Sequence, residues 1–386
     1  MRRRLPSAEA ALPARRLVPL ALFLLTALSM FVTALAATPV ELVPGETLGF
    51  MELLVRLYRN DHARAGAYAM AGSLLAILAT HEAGHYVAAR VHGVPVGLPH
   101  FLPLPLISPF GTMGAVIRMP HPVRERRKLF DVGAAGPLAG LALAIPLYAY
   151  GVSTSVRVPH AEAIDQGVEL GSSLLSLTIE QLFGPPGGHD TDLVLSPVAF
   201  GAWGGLLLTM LNLLPVGQLD GGHVATALFG NRWAHGAATV HRLMFFAFLV
   251  LAVGPGLLAF ARGQAYALQP HVGRATFWFV WAEIVAAVAG VPREGGMAPQ
   301  ARVVATLALS WAGSTVLVRT SEGMTALWVV AVMTFVGADL ARAGIDDATL
   351  AHPSVEGEGL TRGRQVLAWC TLAMFLLLLM PWPMAV

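Results

Sequence analysis

Long apolar runs separated by short polar breaks organise this chain. A helix needs roughly 20 apolar residues to cross the hydrocarbon of a bilayer. The clearest runs are 17–36, 66–91, 132–151, 197–216, 243–261, 275–291, 303–318, 325–340 and 365–383, of which 275–291 and 303–318 are short enough to be re-entrant. The pattern predicts an all-α polytopic membrane protein with about eight transmembrane helices. One apolar stretch departs from it. Phe101-Leu102-Pro103-Leu104-Pro105-Leu106 places a proline at every second position, which forbids a regular helix. Gly111, Gly114, Val116 and Ile117 suit an extended turn, so 100–118 is expected to be non-helical, either a membrane-embedded β-hairpin or re-entrant loop or a plain interfacial loop.

Composition sharpens the class. Of 386 residues, 55% are hydrophobic and 12% charged, against about 25% charged in an ordinary soluble domain. A net charge of +2 is too small to point to nucleic acid. The single cysteine, Cys370, rules out an internal disulfide and argues against a cysteine-ligated metal.

The placement of charge sets topology. Arg2, Arg3, Arg4, Arg15 and Arg16 precede the first run and assign 1–16 to the cytoplasm. That run ends in Ala34-Leu35-Ala36-Ala37, which resembles a signal-peptidase site, but its apolar core is long and favours an uncleaved anchor. The second run then returns inward, to a loop carrying Arg118, Arg124, Arg126, Arg127 and Lys128. The third leads out to 153–196, which holds Glu162, Asp165, Glu169, Glu180, Asp190 and Asp192, and the fourth comes back in towards Asp220. No loop is long enough for an independent module, so 153–196 and 341–364 are read as connectors or caps. The domains expected are the basic N-terminus (1–16), a catalytic transmembrane core (17–230) and a C-terminal transmembrane bundle (231–386).

His81-Glu82-Ala83-Gly84-His85 lies near the inner end of the second run. Histidines four apart share one helix face and can grip one Zn²⁺, with the glutamate between them reaching the open side of the metal. An ionisable Glu82 inside an apolar helix is costly in lipid, which favours function over a pair of interfacial histidines. A catalytic zinc takes three protein ligands. Asn212-Leu213-Leu214-Pro215-Val216-Gly217-Gln218-Leu219-Asp220-Gly221-Gly222-His223 offers the third. Pro215 and Gly217 break the helix, and Gly221-Gly222 allow a turn that aims Asp220 back, with His223 as its rival. Gly136-Pro137 and Gly140 in the third run read as close helix packing. Glu283, amid Phe277, Trp278 and Trp281, receives no role.

HEAGH together with NLLPVGQLDGG resembles the site-2 protease family of zinc intramembrane metalloproteases. Phe110–Ala115, Asp131–Gly140 and Glu169–Leu175 resemble its branch in cyanobacteria and plastids, which lacks a PDZ insertion. The likeness covers about 17–230 well and 352–383 weakly. It implies one Zn²⁺ per chain on His81, His85 and Asp220, Glu82 as general base, and Asn212 as a polar helper at the substrate carbonyl. It further implies cleavage of the transmembrane segment of a single-pass protein in regulated intramembrane proteolysis. The expected place is a bacterial cytoplasmic membrane, with the lipid bilayer as surroundings, no nucleic acid, and the site towards the cytoplasm. Two other readings stand beside it: a membrane metal-ion transporter, and an inactive protease-like scaffold.

Overall fold

The computed structural model describes residues 12–38, 49–160 (save 107, 118, 120 and 121), 169–233 (save 189), 353–381 and 384–385, with isolated positions between 235 and 263. The expected spans 275–291, 303–318 and 325–340, and Glu283, lie outside the described residues. Of 243–261, only isolated positions are described. Among the described residues, three helices are long and apolar enough to cross a membrane: Leu17–Ala36, Asp61–Val91 and Arg126–Ser153.

Residues 1–122, 135–163 and 178–209 cluster as one compact unit, and 123–134, 164–177 and 210–386 as a second. In the first, helix α1 (Leu12–Ala36) is followed by α2 (Phe50–Arg59) and α3 (Asp61–Val91). Helix α3 starts five residues earlier than hydropathy suggested, because Asn60 caps it: its Oδ1 accepts from His62 N at 3.0 Å and Ala63 N at 3.1 Å. It ends where Gly93 turns to φ +65°.

The proline-rich run forms β1 (His100–Pro103), paired antiparallel with β2 (Thr112–Val116) in the register His100↔Val116. Polar groups of the connecting segment are satisfied by α1. Ser29 Oγ donates to the Gly111 carbonyl, and Leu106 N donates to Thr33 Oγ1 at 3.0 Å. A non-helical backbone beside apolar helices needs such partners.

Helix α4 (Arg126–Ser153) runs through both units. It begins six residues before the predicted span, so Arg126, Arg127 and Lys128 form its first turn rather than part of a loop. One partner is local and the others distant in sequence: Lys128 pairs with Glu125 at 2.9 Å, and Arg126 has the carbonyl partners described below.

The segment 153–196, read from sequence as a connector or cap, carries structure of its own. Strand β3 (Val156–Pro159), β4 (Glu169–Leu170), helix α5 (Leu174–Phe183) and β5 (Thr191–Val194) occupy it. The β-branched and apolar residues of β3 and β5 suit a strand pair, in the register Val156↔Val194. Beside this pair Tyr148, fully buried on α4, donates its hydroxyl to Glu180 at 2.7 Å. Burial pushes the Glu180 carboxyl above its ordinary value, while the Tyr148 hydrogen bond and the charge of Arg157 pull the other way.

Helix α6 (Pro197–Asn212) packs along α3 through glycine. A Cβ at Gly201 would meet Met70 and Ser73, and one at Gly205 would lie 2.8 Å from Ile77 Cδ1. Two glycines four apart let the backbones approach, which is how helices associate tightly in lipid.

The second unit contains α7 (Asp220–Phe229), a 3₁₀ turn over Gly230–Arg232, α8 (Arg362–Leu378) and β6 (Met384–Ala385), which pairs with β4. Helix α7 follows a turn in which Gly217 adopts φ +55°.

Candidate metal centre

The HExxH residues lie on the C-terminal half of α3. His81 is 4% exposed and Glu82 6%, and His85 is half-buried. Their seat is made of glycine. A Cβ at Gly136 of α4 would fall on the His85 imidazole, and one at Gly140 would lie 3.2 Å from His81 Cβ. Gly84 on α3 is matched in turn by Ala135 and Ala139, with a would-be Cβ 2.9 Å from Ala139 Cβ. The Gly-Pro stretch read as packing does pack, and what it packs against is the histidine pair.

The two rings converge. His81 Nε2 and His85 Nε2 are 3.1 Å apart. Two nitrogen lone pairs cannot face each other at that distance without a proton or a cation between them. Two nitrogens each about 2.0–2.1 Å from one tetrahedral zinc would stand about 3.3 Å apart, close to what is seen.

Asp220 is the first residue of α7. The feature that turns the chain before it is Gly217, not Gly221-Gly222 as the sequence suggested. Those two glycines sit inside the first helical turn, where a Cβ at either would strike the carbonyls of the 213–217 turn. They therefore let α7 press backbone to backbone on that turn, which sets the position of Asp220. His223, one turn on, has its Cβ against α4, 2.7 Å from where a Gly133 Cβ would be.

His81, His85 and Asp220 each offer one ligand atom, and these atoms all lie within 4.8 Å of one another. Among the described residues this is the group of three or more His, Cys, Asp or Glu able to hold a metal ion. Two neutral imidazoles and a carboxylate are a good donor set for zinc, which accepts nitrogen and oxygen at similar lengths. The residues fit the metal.

Asn212 closes α6 and is half-buried, eight residues before Asp220. The pairing of α4 glycines with the histidines was only half legible. Gly133, Gly136 and Gly140 fall at i, i+3 and i+7 on one helix face, a stripe the sequence displays without saying what lies opposite.

Comparison with known proteins agrees with this chemistry. Residues 69–254 match Peptidase family M50. A probable zinc metalloprotease EGY2, chloroplastic, from Oryza sativa subsp. indica is 36% identical over 157 residues, 41% of this chain and 28% of that protein. Its counterpart from Arabidopsis thaliana is 34% identical over 158 residues, 41% of this chain and 28% of that protein. The probable zinc metalloprotease EGY1, chloroplastic, from Arabidopsis thaliana is 33% identical over 168 residues, 43% of this chain and 30% of that protein. The chain thus spans under a third of the length of these relatives, which are plastid proteins by name. No solved structure matches. The matched segment contains most of α3, the hairpin, α4, α6 and α7, hence all three candidate ligands, and over residues 69–254 the chain is similar to Peptidase family M50 and to the plastid zinc metalloproteases.

Proposed function

We propose that this chain is a zinc-dependent intramembrane endopeptidase of the site-2 protease type, with one Zn²⁺ on His81, His85 and Asp220. The observation that carries the reading is the convergence of these three donors beside a buried Glu82, on a helix long and apolar enough to span a bilayer. When bound, zinc would supply Lewis-acid chemistry, lowering the pKa of water towards about 7 and polarising the scissile carbonyl. Glu82 follows His81 on α3 and lies about 60° around the helix from His85, so it shares their side of the helix without competing for the ligand position. Its carboxylate accepts the proton of the attacking water and returns it to the leaving amine. Asn212 donates from its amide to the developing oxyanion. The low dielectric around α3 strengthens each of these interactions.

The substrate is the transmembrane segment of a single-pass protein, released by regulated proteolysis. A peptide bond inside a helix is sterically closed, so the segment unwinds before cleavage, and the β1–β2 pair, embedded in the membrane, offers an edge for the unwound strand. The membrane proposed is a bacterial cytoplasmic membrane, and charge bias supports a site towards its cytoplasmic face. The catalytic core is 17–230, followed by a C-terminal transmembrane bundle. A metal-ion transporter would need further His, Asp or Glu pairs along neighbouring spans, whereas the donors here form one compact triad. An inactive scaffold would have no use for Glu82 beside an intact triad.

Glu82→Gln separates the three readings, because it keeps the volume and removes the base. Zinc content should stay at the wild-type level while cleavage of a co-expressed single-pass substrate falls by about 10²–10⁴-fold. Cleavage at the wild-type rate would remove Glu82 from the mechanism. Loss of zinc in this variant, with zinc retained in His81→Ala, would favour the transporter.

A further inference from the structure

We propose that Arg126 is a positioning residue for Asp220, acting through the far end of the helix that carries it. The inference rests on the reading of Asp220 as a metal ligand, and its observations lie within one compact unit.

Helix α7 has ten residues, and Asp220 is the first. The last carbonyls of a helix have no partner within it. Here one side chain takes two of them: Arg126 Nε donates to the Ala227 carbonyl at 2.8 Å and Nη2 to the Leu228 carbonyl at 2.7 Å. A guanidinium is a rigid fork of donors, and its positive charge suits the negative end of the α7 dipole. On its own helix the same charge is badly placed, because Arg126 opens α4, where the dipole disfavours a cation. Local helix electrostatics thus do not account for an arginine here, whereas α7 does.

The root of Arg126 is itself held. The strap 353–361 runs beside it: Glu356 N donates to the Arg124 carbonyl at 2.8 Å, and Arg126 N donates to the Glu356 carbonyl at 3.4 Å. Asn231, just past α7, grips the same strap from both sides. Its Oδ1 accepts from Val355 N at 2.8 Å, and its Nδ2 donates to the Val355 carbonyl at 3.2 Å. Further along α4, Gly133 receives His223. Residues 126 and 133 are seven apart and share a face of α4, so α7 is fixed against α4 at two heights.

The geometry sets the sensitivity. Ten helical residues span about 15 Å, so a tilt of roughly 5° at the capped end moves Asp220 by about 1.3 Å. Metal–ligand distances are held to about ±0.2 Å. The Arg126 cap therefore matters to the metal as well as to the fold.

The test uses the full-length, zinc-loaded protein in lipid nanodiscs, with chelator-driven zinc release and thermal unfolding measured on each variant. Arg126→Ala should release zinc at least about 10-fold faster than wild type, at a temperature where it remains folded. Arg126→Lys keeps the charge but cannot fork across two carbonyls, and should fall between the two. It also carries the test if the alanine variant does not fold. Arg364→Ala is the control. It removes a two-pronged pair, both arms 2.9 Å, between α8 and Asp131 of α4, and touches no carbonyl of α7. It should lower the unfolding temperature and leave zinc release unchanged. Wild-type release from both Arg126 variants, or equal acceleration in Arg364→Ala, would overturn the proposal. Stoichiometric zinc in Asp220→Ala would instead overturn the ligand reading on which it stands.

Discussion

Gly136→Ala is the smallest change that should dismantle the metal centre while leaving the fold in place. The added methyl falls on the imidazole of His85, nearer than any real carbon–nitrogen contact. Ordinary contact is about 3.5 Å, so the ring must retreat by roughly 1 Å or more. The obstacle is the far end of one side chain rather than a backbone, so α3 and α4 can keep their places. Alanine in place of glycine also raises helix propensity by up to about 1 kcal/mol, which offsets part of the 1–3 kcal/mol typical of overpacking. The histidine has no such latitude, since a ligand displaced by that distance is far outside the tolerance of a zinc bond. We therefore expect an unfolding temperature within a few degrees of wild type, with zinc affinity and peptidase activity lower by at least about 100-fold. Gly140→Ala is the internal comparison. Its methyl would meet His81 Cβ at 3.2 Å, which a shift of a few tenths of an ångström relieves, so zinc should be largely retained. Zinc content by metal analysis after dialysis against a graded chelator reads both variants. Wild-type zinc affinity in Gly136→Ala would refute the glycine seat, and equal loss in both would point to helix separation instead.

Two further outcomes follow from the surroundings of the site. The raised carboxyl of Glu180 means that the folded chain holds a proton there above the pH at which the unfolded chain has lost it, so stability should fall as pH rises through that window. Glu180→Gln should flatten this part of the profile while still accepting from Tyr148, and parallel profiles for the two proteins would refute the assignment. In a Cys370→Ser background, Glu125→Cys should label only from the cytoplasmic side and Asp190→Cys only from the other; labelling of both from one side would break the topology that brings the α3 histidines and Asp220 to the same face.

The candidate ligand triad was legible in the chain because metal ligation has rigid spacing rules. His81 and His85 four apart on an apolar helix must share a face, and a helix broken by Pro215 and Gly217 must expose the residues that follow. Prolines at 103 and 105 likewise excluded a helix, and antiparallel strands are what the structure has there. Hydropathy did less well at element ends: it missed the capping of α3 by Asn60 and the inclusion of Arg126–Lys128 in α4, because caps and charges set boundaries that apolarity does not register. It also missed the strand pair of 153–196, whose pairing joins residues more than thirty apart along the chain. What only the tertiary structure decided is which residues stand opposite one another. Gly136 is an unremarked glycine until His85 lies against it, and Arg126 is a topology signal until the carbonyls of Ala227 and Leu228 lie within its reach. Spacing along a helix fixes a face, but the partner of that face is chosen by packing across the whole chain.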